Sequence, residues 1–284
     1  MFSVACAVKA GKRWGLLFTN RCEEEERQEV GIANCGKNRY VLFRMRYFVV
    51  GVLFVGVVAW LVSLTMLKGE ESKSKGRAER VARKVTPRLK RELAAKGLNF
   101  GDAVFIRIFK EERELELWIE KGERFEKFRT YRIAGMSGKL GPKLAEGDRQ
   151  APEGFYFVPR SMMNPQSLYH LAFNIGFPNS YDKGKDRTGS FIMVHGDTLS
   201  IGCFAMTDSK IEEIYTLCDA ALMNGQPYFR VHSFPFRMTS ERMTKARGKK
   251  WEPFWKELKP GYDWFEEKKW PPNVEFKEGR YQFN

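Results

Sequence analysis

The sequence predicts an α+β protein, mainly β with a few helices, standing behind an N-terminal transmembrane anchor. Three observations predict it. Residues 47–67, "YFVVGVLFVGVVAWLVSLTML", carry no charge over 21 positions. Beyond residue 100, several short runs alternate apolar and polar side chains with the period of two that a half-buried strand requires. Only two or three segments keep the helical spacing of three to four. Apolar residues make up 43% of the 284 and charged ones 30%, which is globular rather than disordered composition.

Residues 1–44 mix "EEEE" with three of the five cysteines. Met45 and Arg46 ahead of the apolar run look like a more natural beginning, so 1–44 reads as a cytoplasmic or non-native extension. The span at 45–67 is long enough to cross a hydrocarbon layer, which takes about 20 apolar residues. Lys37, Arg39, Arg44 and Arg46 form a positive flank that stays cytoplasmic, so the chain beyond the span is exported. With no A-x-A site in "WLVSLTMLKGEE", the segment reads as an uncleaved signal anchor. The rest then lies in the periplasm on the inner membrane, or is secreted if the signal is cleaved.

Residues 68–100 form a basic tether and then a helix. Ten basic residues face four acidic ones between Lys68 and Glu92. Val81, Val85, Leu89 and Leu93 recur every fourth position and Gly97 closes the run, an amphipathic helix that packs on the domain behind it.

A domain occupies 101–239. "AVFIRIFK" (103–110) and "RELELWIE" (113–120) alternate around a short charged turn, as a hairpin does, and "ERFEKFRTYRIA" (123–134) repeats the alternation. "GMSGKLGPKLAEGDRQAPEG" (135–154) is too long for a turn and reads as a functional loop. "FYFVPR" and "FIMVHG" read as strands, with mixed strand and loop between them. Ser209 and Glu212 predict a capping box. Ile211, Ile214, Tyr215, Cys218 and Leu222 share one face of the helix it would cap, and Asn224–Gly225 end it. "YFRVHSFPF" is a last strand.

A net charge of +14 with pI ≈ 9.5 suits a polyanionic partner such as nucleic acid, an acidic membrane or an anionic wall polymer, and export argues against nucleic acid. Two cysteines beyond the span are too few for a disulfide scaffold. Cys218, on an apolar helical face, reads as a small core residue. Cys203 is different. It ends "HGDTLSIGC", just past a strand and before a helix, eight positions after His195. A thiol attacks as its thiolate, with a neighbouring imidazole or converging N–H groups to lower its pKa. Glycines at 196 and 202 allow the turn to fold back, and the amides of Gly202 and Cys203 would face a developing oxyanion. His170 reads as a hydrogen-bonded core or loop residue, and His232 as a second proton carrier near Cys203. The three histidines lack metal-ligand spacing, and no cofactor is implied.

The segments "LGPKLAEGDRQAPEGFY" (140–156), "NPQSLYHLAFNIGFPNSYD" (164–182), "RTGSFIMVHG" (187–196), "SIGCFAMTD" (200–208) and "FPFRMT" (234–239) resemble, in this order, the YkuD-like L,D-transpeptidase catalytic domain, in its YafK-type branch. The resemblance implies a β-sandwich whose cysteine takes an acyl group from a peptidoglycan stem peptide and passes it to an amine. It implies Cys203 as nucleophile, His195 as base, Ser200 as the residue orienting the site and Gly202 at the oxyanion pocket. Ile201 stands where the family signature has histidine, and Phe204-Ala205 where many members carry an arginine. Arg237 or Lys143 would stand in for that arginine in binding substrate, with Tyr169 and His232 as further substrate contacts. With water as acceptor the same site is a thiol hydrolase, cleaving L,D-type or protein-to-peptidoglycan links. A wall-binding module without catalysis fits less well, because both Cys203 and His195 are present.

Residues 240–284 hold four of the seven tryptophans, Trp251, Trp255, Trp264 and Trp270. This aromatic, basic extension reads as a cap packed on the domain, with glycan or membrane contact as the other use of its rings.

Overall fold

The computed structural model of the protein describes residues 57–60, 63 and 76–284. The expected extension at 1–44, most of the span at 45–67 and the tether at 68–75 lie outside the described residues. Residues 57–60 and 63 are helical. Among the described residues no helix is long and apolar enough to cross a membrane. The chain divides into units at 1–61 and 62–284, and the second carries the folded domain.

Helix α1 (76–94) forms as its spacing dictates. Val81, Val85, Leu89 and Leu93 make one buried stripe in the main core. The polar side is tied down as well: Arg88 and Arg129 both pair with Glu92 and Glu213. Gly97, at φ +68, turns the chain out of the helix.

Eleven strands come after it. They are β1 (Val104–Phe109), β2 (Glu114–Lys121), β3 (Arg124–Arg132), β4 (Gly154–Pro159), β5 (Met163–Asn164), β6 (Ala172–Asn174), β7 (Met193–His195), β8 (Phe204–Ala205), β9 (Tyr228–Phe234), β10 (Val274–Lys277) and β11 (Arg280–Phe283). A five-stranded sheet runs β3-β2-β1-β9-β4, and a four-stranded sheet runs β5-β6-β7-β8. All neighbours are antiparallel except β1 with β9 and β7 with β8. The sheets meet face to face, with the Phe173 and Phe229 rings 5.2 Å apart. The short helix α2 (Ser180–Gly184) lies between β6 and β7. Helix α3 (Asp208–Met223) buries Ile211, Ile214, Leu217 and Cys218 in the same core, and each of the Ile and Leu side chains contributes about 1.5–3 kcal/mol by leaving water. The fold is mixed α+β, mostly sheet.

Two expectations need correction. Alternation along β1 predicts Arg107 on a wet face, but its exposure is 1%. The reason lies past the short helix α4 (Ser240–Lys245), in helix α5 (Glu252–Lys268), which covers that face. Tyr262 and Phe265 reach Phe109, Phe234 and Phe105 at ring separations of 4.8–6.4 Å. Arg107 stacks on Phe109, Tyr262 and Phe265 and pairs with Glu266 at 2.7 Å. Second, α3 has no Ser209–Glu212 capping box. Its N-cap is Thr207, without a side-chain cap bond, and Glu212 instead pairs with Lys84 and meets His170. A capping box does form on α2, between Asn179 and Asp182.

The C-terminal segment packs in a second core with Phe155, Phe234 and Phe236. Its hydrogen bonds reach into the 135–154 loop. Trp255 donates from Nε1 to Glu153 Oε2 at 2.9 Å. The other carboxylate oxygen accepts from Gly141 N at 2.6 Å and from Lys110 Nζ at 2.9 Å. Lys110 completes its shell with the carbonyls of Gly141 and Ala151, each at 2.8 Å. A buried ion pair is tolerable only when its remaining hydrogen-bonding capacity is filled in this way.

Candidate active site

Strand β7 carries His195 at its end and β8 begins just after Cys203, and their parallel register sets Val194 beside Phe204 and His195 beside Ala205. One step back, Met193 lies across from Cys203, and its N–H donates to the Cys203 sulfur at 3.4 Å. Because side chains two apart share a face, Cys203 and His195 point to the same side, offset by one strand period of about 6.6 Å. No thiol–imidazole hydrogen bond forms among the described residues. The Sγ–H points to the Phe191 carbonyl at 3.7 Å. Resting sites often hold catalytic hydrogen bonds long, and they tighten only in the complex with substrate.

The imidazole is oriented. His195 Nδ1 lies 2.6 Å from the Gly196 carbonyl, which can only accept, so Nδ1 carries the proton and Nε2 keeps its lone pair. Burial holds His195 below its ordinary pKa, against the pull of the Gly196 carbonyl and Asp197, and keeps the ring neutral. Tyr169 lies over it, ring centroids 4.8 Å apart. A cleft of about 450 Å³ opens alongside, lined by Leu168, Tyr169, Asp197 and Thr207.

Burial pushes the Cys203 thiol up, and the Met193 N–H and Lys143 charge only partly offset it. A preformed thiolate, the sequence-based expectation, is therefore not what this environment favours. The sulfur is half-buried, and Phe191 and Ile201 beside it are 71% and 73% exposed.

The turn between the two residues is held by side chains. Ser200 Oγ donates to the Cys203 carbonyl at 2.6 Å. Gly202 sits at φ +89, where a Cβ is strained. Its N–H donates to Ser137 Oγ at 2.7 Å, so this amide is already engaged and the Cys203 amide is left as the candidate oxyanion donor. Asp208 Oδ1 accepts from Asp197 N at 2.8 Å and fixes the start of the turn.

Of the other expected residues, Tyr169 and Lys143 lie near the pair. Lys143 is buried and bound to Asp148 Oδ1 at 2.6 Å and the Ala145 carbonyl at 2.9 Å, so it comes to the site already neutralised. Arg237 does not face it. Its guanidinium pairs with Glu114 and Glu116 and stacks on Phe109, because β2 offers two carboxylates on the covered face. His232 is not a proton carrier near Cys203 either. It lies at the centre of β9, edge-on to Phe105 and Phe155 with ring centroids 4.7 Å away, both nitrogens unpaired. His170 sits at φ +67 with Nε2 3.0 Å from Glu212 Oε1. Sequence reasoning missed Ser137 and Gln150. Ser137 Oγ also donates to the Arg149 carbonyl at 2.7 Å, and Gln150 Nε2 donates to the Gly141 carbonyl at 2.8 Å. The long glycine-rich loop was their only signal.

The family model of the L,D-transpeptidase catalytic domain, YkuD, matches residues 103–250. The protein named "Putative L,D-transpeptidase YafK" of Escherichia coli (strain K12) is 47% identical over 181 residues, 64% of this chain and 74% of that one. Among solved structures, the helical cell shape determining protein Pgp2 from Campylobacter jejuni is 20% identical with a TM-score of 0.39, over 62% of this chain and 73% of that one. Bdellovibrio bacteriovorus Bd1075 is 26% identical with a TM-score of 0.34, over 48% of this chain and 49% of that one, about half its length.

Proposed function

Since the chain belongs to the L,D-transpeptidase catalytic domain (YkuD) family, we propose that it is a cell-envelope cysteine acyltransferase acting on peptidoglycan stem peptides, with Cys203 as nucleophile and His195 as base. The observation that carries this reading is the His195 tautomer: the Gly196 carbonyl engages Nδ1 and leaves Nε2 as the proton acceptor, two residues along β7 from the Met193 N–H that meets the Cys203 sulfur. The thiol proton passes to Nε2 as sulfur attacks the stem carbonyl, since burial disfavours a standing thiolate. The tetrahedral oxyanion is met by the Cys203 amide. Collapse breaks the C–N bond, the leaving amine takes the proton from His195, and an acyl-thioester remains. An acceptor amine then attacks, gives its proton to Nε2, and expels Cys203, which recovers it as a thiol.

The half-buried sulfur and its open surroundings support a second reading on the same residues, in which water is the acceptor and the protein is a hydrolase. Attachment to the inner membrane with the domain in the periplasm is supported by the uncharged run at 47–67 and the basic flank before it. Ser200 and Gly202 are read as turn-positioning residues, and Tyr169 as the ring that holds the His195 imidazole in place.

Incubating the protein with muropeptides and following products by mass spectrometry tests both readings. Crosslinked or D-amino-acid-exchanged products support transfer, and shortened stems or released lysine-linked peptides support hydrolysis. Turnover retained by Cys203→Ala rules out either.

A further inference from the structure

At the end of α3 remote from the His195–Cys203 turn lies a second cleft, of about 540 Å³. The turn adjoins the first residues of α3 and the cleft its last. Sixteen residues at 1.5 Å each separate them by about 24 Å. This cleft is no part of the catalytic arrangement.

Its walls combine two chemistries. Trp270 and Tyr228 line it and are 39% and 36% exposed, among the few large apolar side chains left open to solvent. Both rings are set by edge-on partners. Trp270 stands against Phe125 at 5.1 Å, and Tyr228 against Phe157 at 5.3 Å. Between them the lining is polar: Asp102, Glu120, Asn224 and Arg230. Arg230 donates from Nη2 to Asn273 at 2.7 Å, stacks over Tyr228, and leaves a buried Nε without a partner. Among the described residues it pairs with no carboxylate, and Glu120 pairs with no cation.

Rigid aromatic faces flanked by polar groups of both signs, Asn224 and Asp102 held by Gly101 and Asn99 and Arg230 by Asn273, select a ligand with flat apolar faces and hydroxyl or amide edges. Nucleic acid fits poorly, since two carboxylates stand in the lining. A purely apolar partner would strand Arg230 and Glu120 without water.

We propose that this cleft binds the glycan backbone of the cell wall, a chain of N-acetylated amino sugars, at a point away from the stem being attacked. Choice of this polymer rests on the cell-wall reading above. Sugar rings stack on Trp270 and Tyr228, and their hydroxyl and acetamido groups pair with Arg230, Asn224 and Glu120. The chain is thereby held on the wall while the reacting site exchanges stems.

The test uses the full chain carrying Cys203→Ala, titrated with stem-free N-acetylated glycan oligomers and followed by calorimetry and by Trp fluorescence. Saturable binding is expected, weakened about three- to tenfold in Trp270→Ala and in Tyr228→Ala. Tyr228→Phe, which keeps the ring, retains most of it. Unchanged melting temperatures in these variants separate lost binding from lost folding. Absence of binding, equal binding in all variants, or displacement of the glycan by free stem peptides overturns the proposal. Glycan binding with no muropeptide turnover by the Cys203 protein would sink the enzymatic reading and leave the cleft standing.

Discussion

Ser137 Oγ accepts the Gly202 amide at 2.7 Å across 65 residues of sequence, so the turn before the nucleophile is held from the 135–154 loop and not by its own backbone alone. Gly202→Ala places a side chain at φ +89 and costs about 1–2 kcal/mol. Its expected signature is a lower melting temperature together with slower alkylation of Cys203. Ser137→Ala removes the hydrogen bonds to Gly202 and to the Arg149 carbonyl, each contributing about 0.5–1.5 kcal/mol, and also slows alkylation. Alkylation at the parent rate in both variants removes the turn from the mechanism.

Alkylation of Cys203 should also report the pair's titration. Burial raises the thiol and lowers the imidazole, so both are neutral over the middle pH range. Labelling by iodoacetamide should keep rising above the ordinary thiol pKa of about 8.5, and turnover should fall only below the ordinary imidazole pKa of about 6.5. A labelling midpoint well under 7 would mean a standing thiolate–imidazolium pair instead.

His232 contributes an acid sensitivity. Burial and the charges of Arg107 and Arg230 hold its folded-state pKa well below the ordinary value. The unfolded chain therefore binds one more proton below about pH 6.5, and stability drops as pH falls, by up to about 1.4 kcal/mol per unit. His232→Phe suits the site among Phe105, Phe155 and Phe234 and should flatten this slope in urea melts at about pH 4.5–7. An unchanged slope refutes the assignment.

The Lys110–Glu153–Trp255 network predicts unequal costs. Trp255→Phe removes one donor from a buried carboxylate and should cost about 1–3 kcal/mol. Lys110→Met leaves that carboxylate without its counter-charge and should cost about 3–5 kcal/mol. Denaturant midpoints at a common m-value measure both, and equal losses would show that the ion pair is not the stronger tie.

Legibility in the sequence depended on where the information resides. The strand segments and α1 were legible because Val81, Val85, Leu89, Leu93 and the β1–β3 alternation state their periods locally. Cys203 and His195 stood out through glycines and a shared turn. Arg107, Glu116 and His232 were illegible: their strands read as wet on one face, and only α5, more than a hundred residues from β1 and β2, covers them. Arg237 failed as a substrate residue for the same reason, since its partners Glu114 and Glu116 come from a strand over a hundred residues away. Ser137 carries no motif, and its role exists only once the loop has closed on Gly202.

The family-model match ends at residue 250, yet the indole of Trp255 and the rings of α5 complete the shell around Glu153, Arg107 and Phe109. The smallest stretch able to melt as one cooperative unit thus runs past the matched boundary to the last strand. Cutting at that boundary would denude a charged interior rather than trim an appendage.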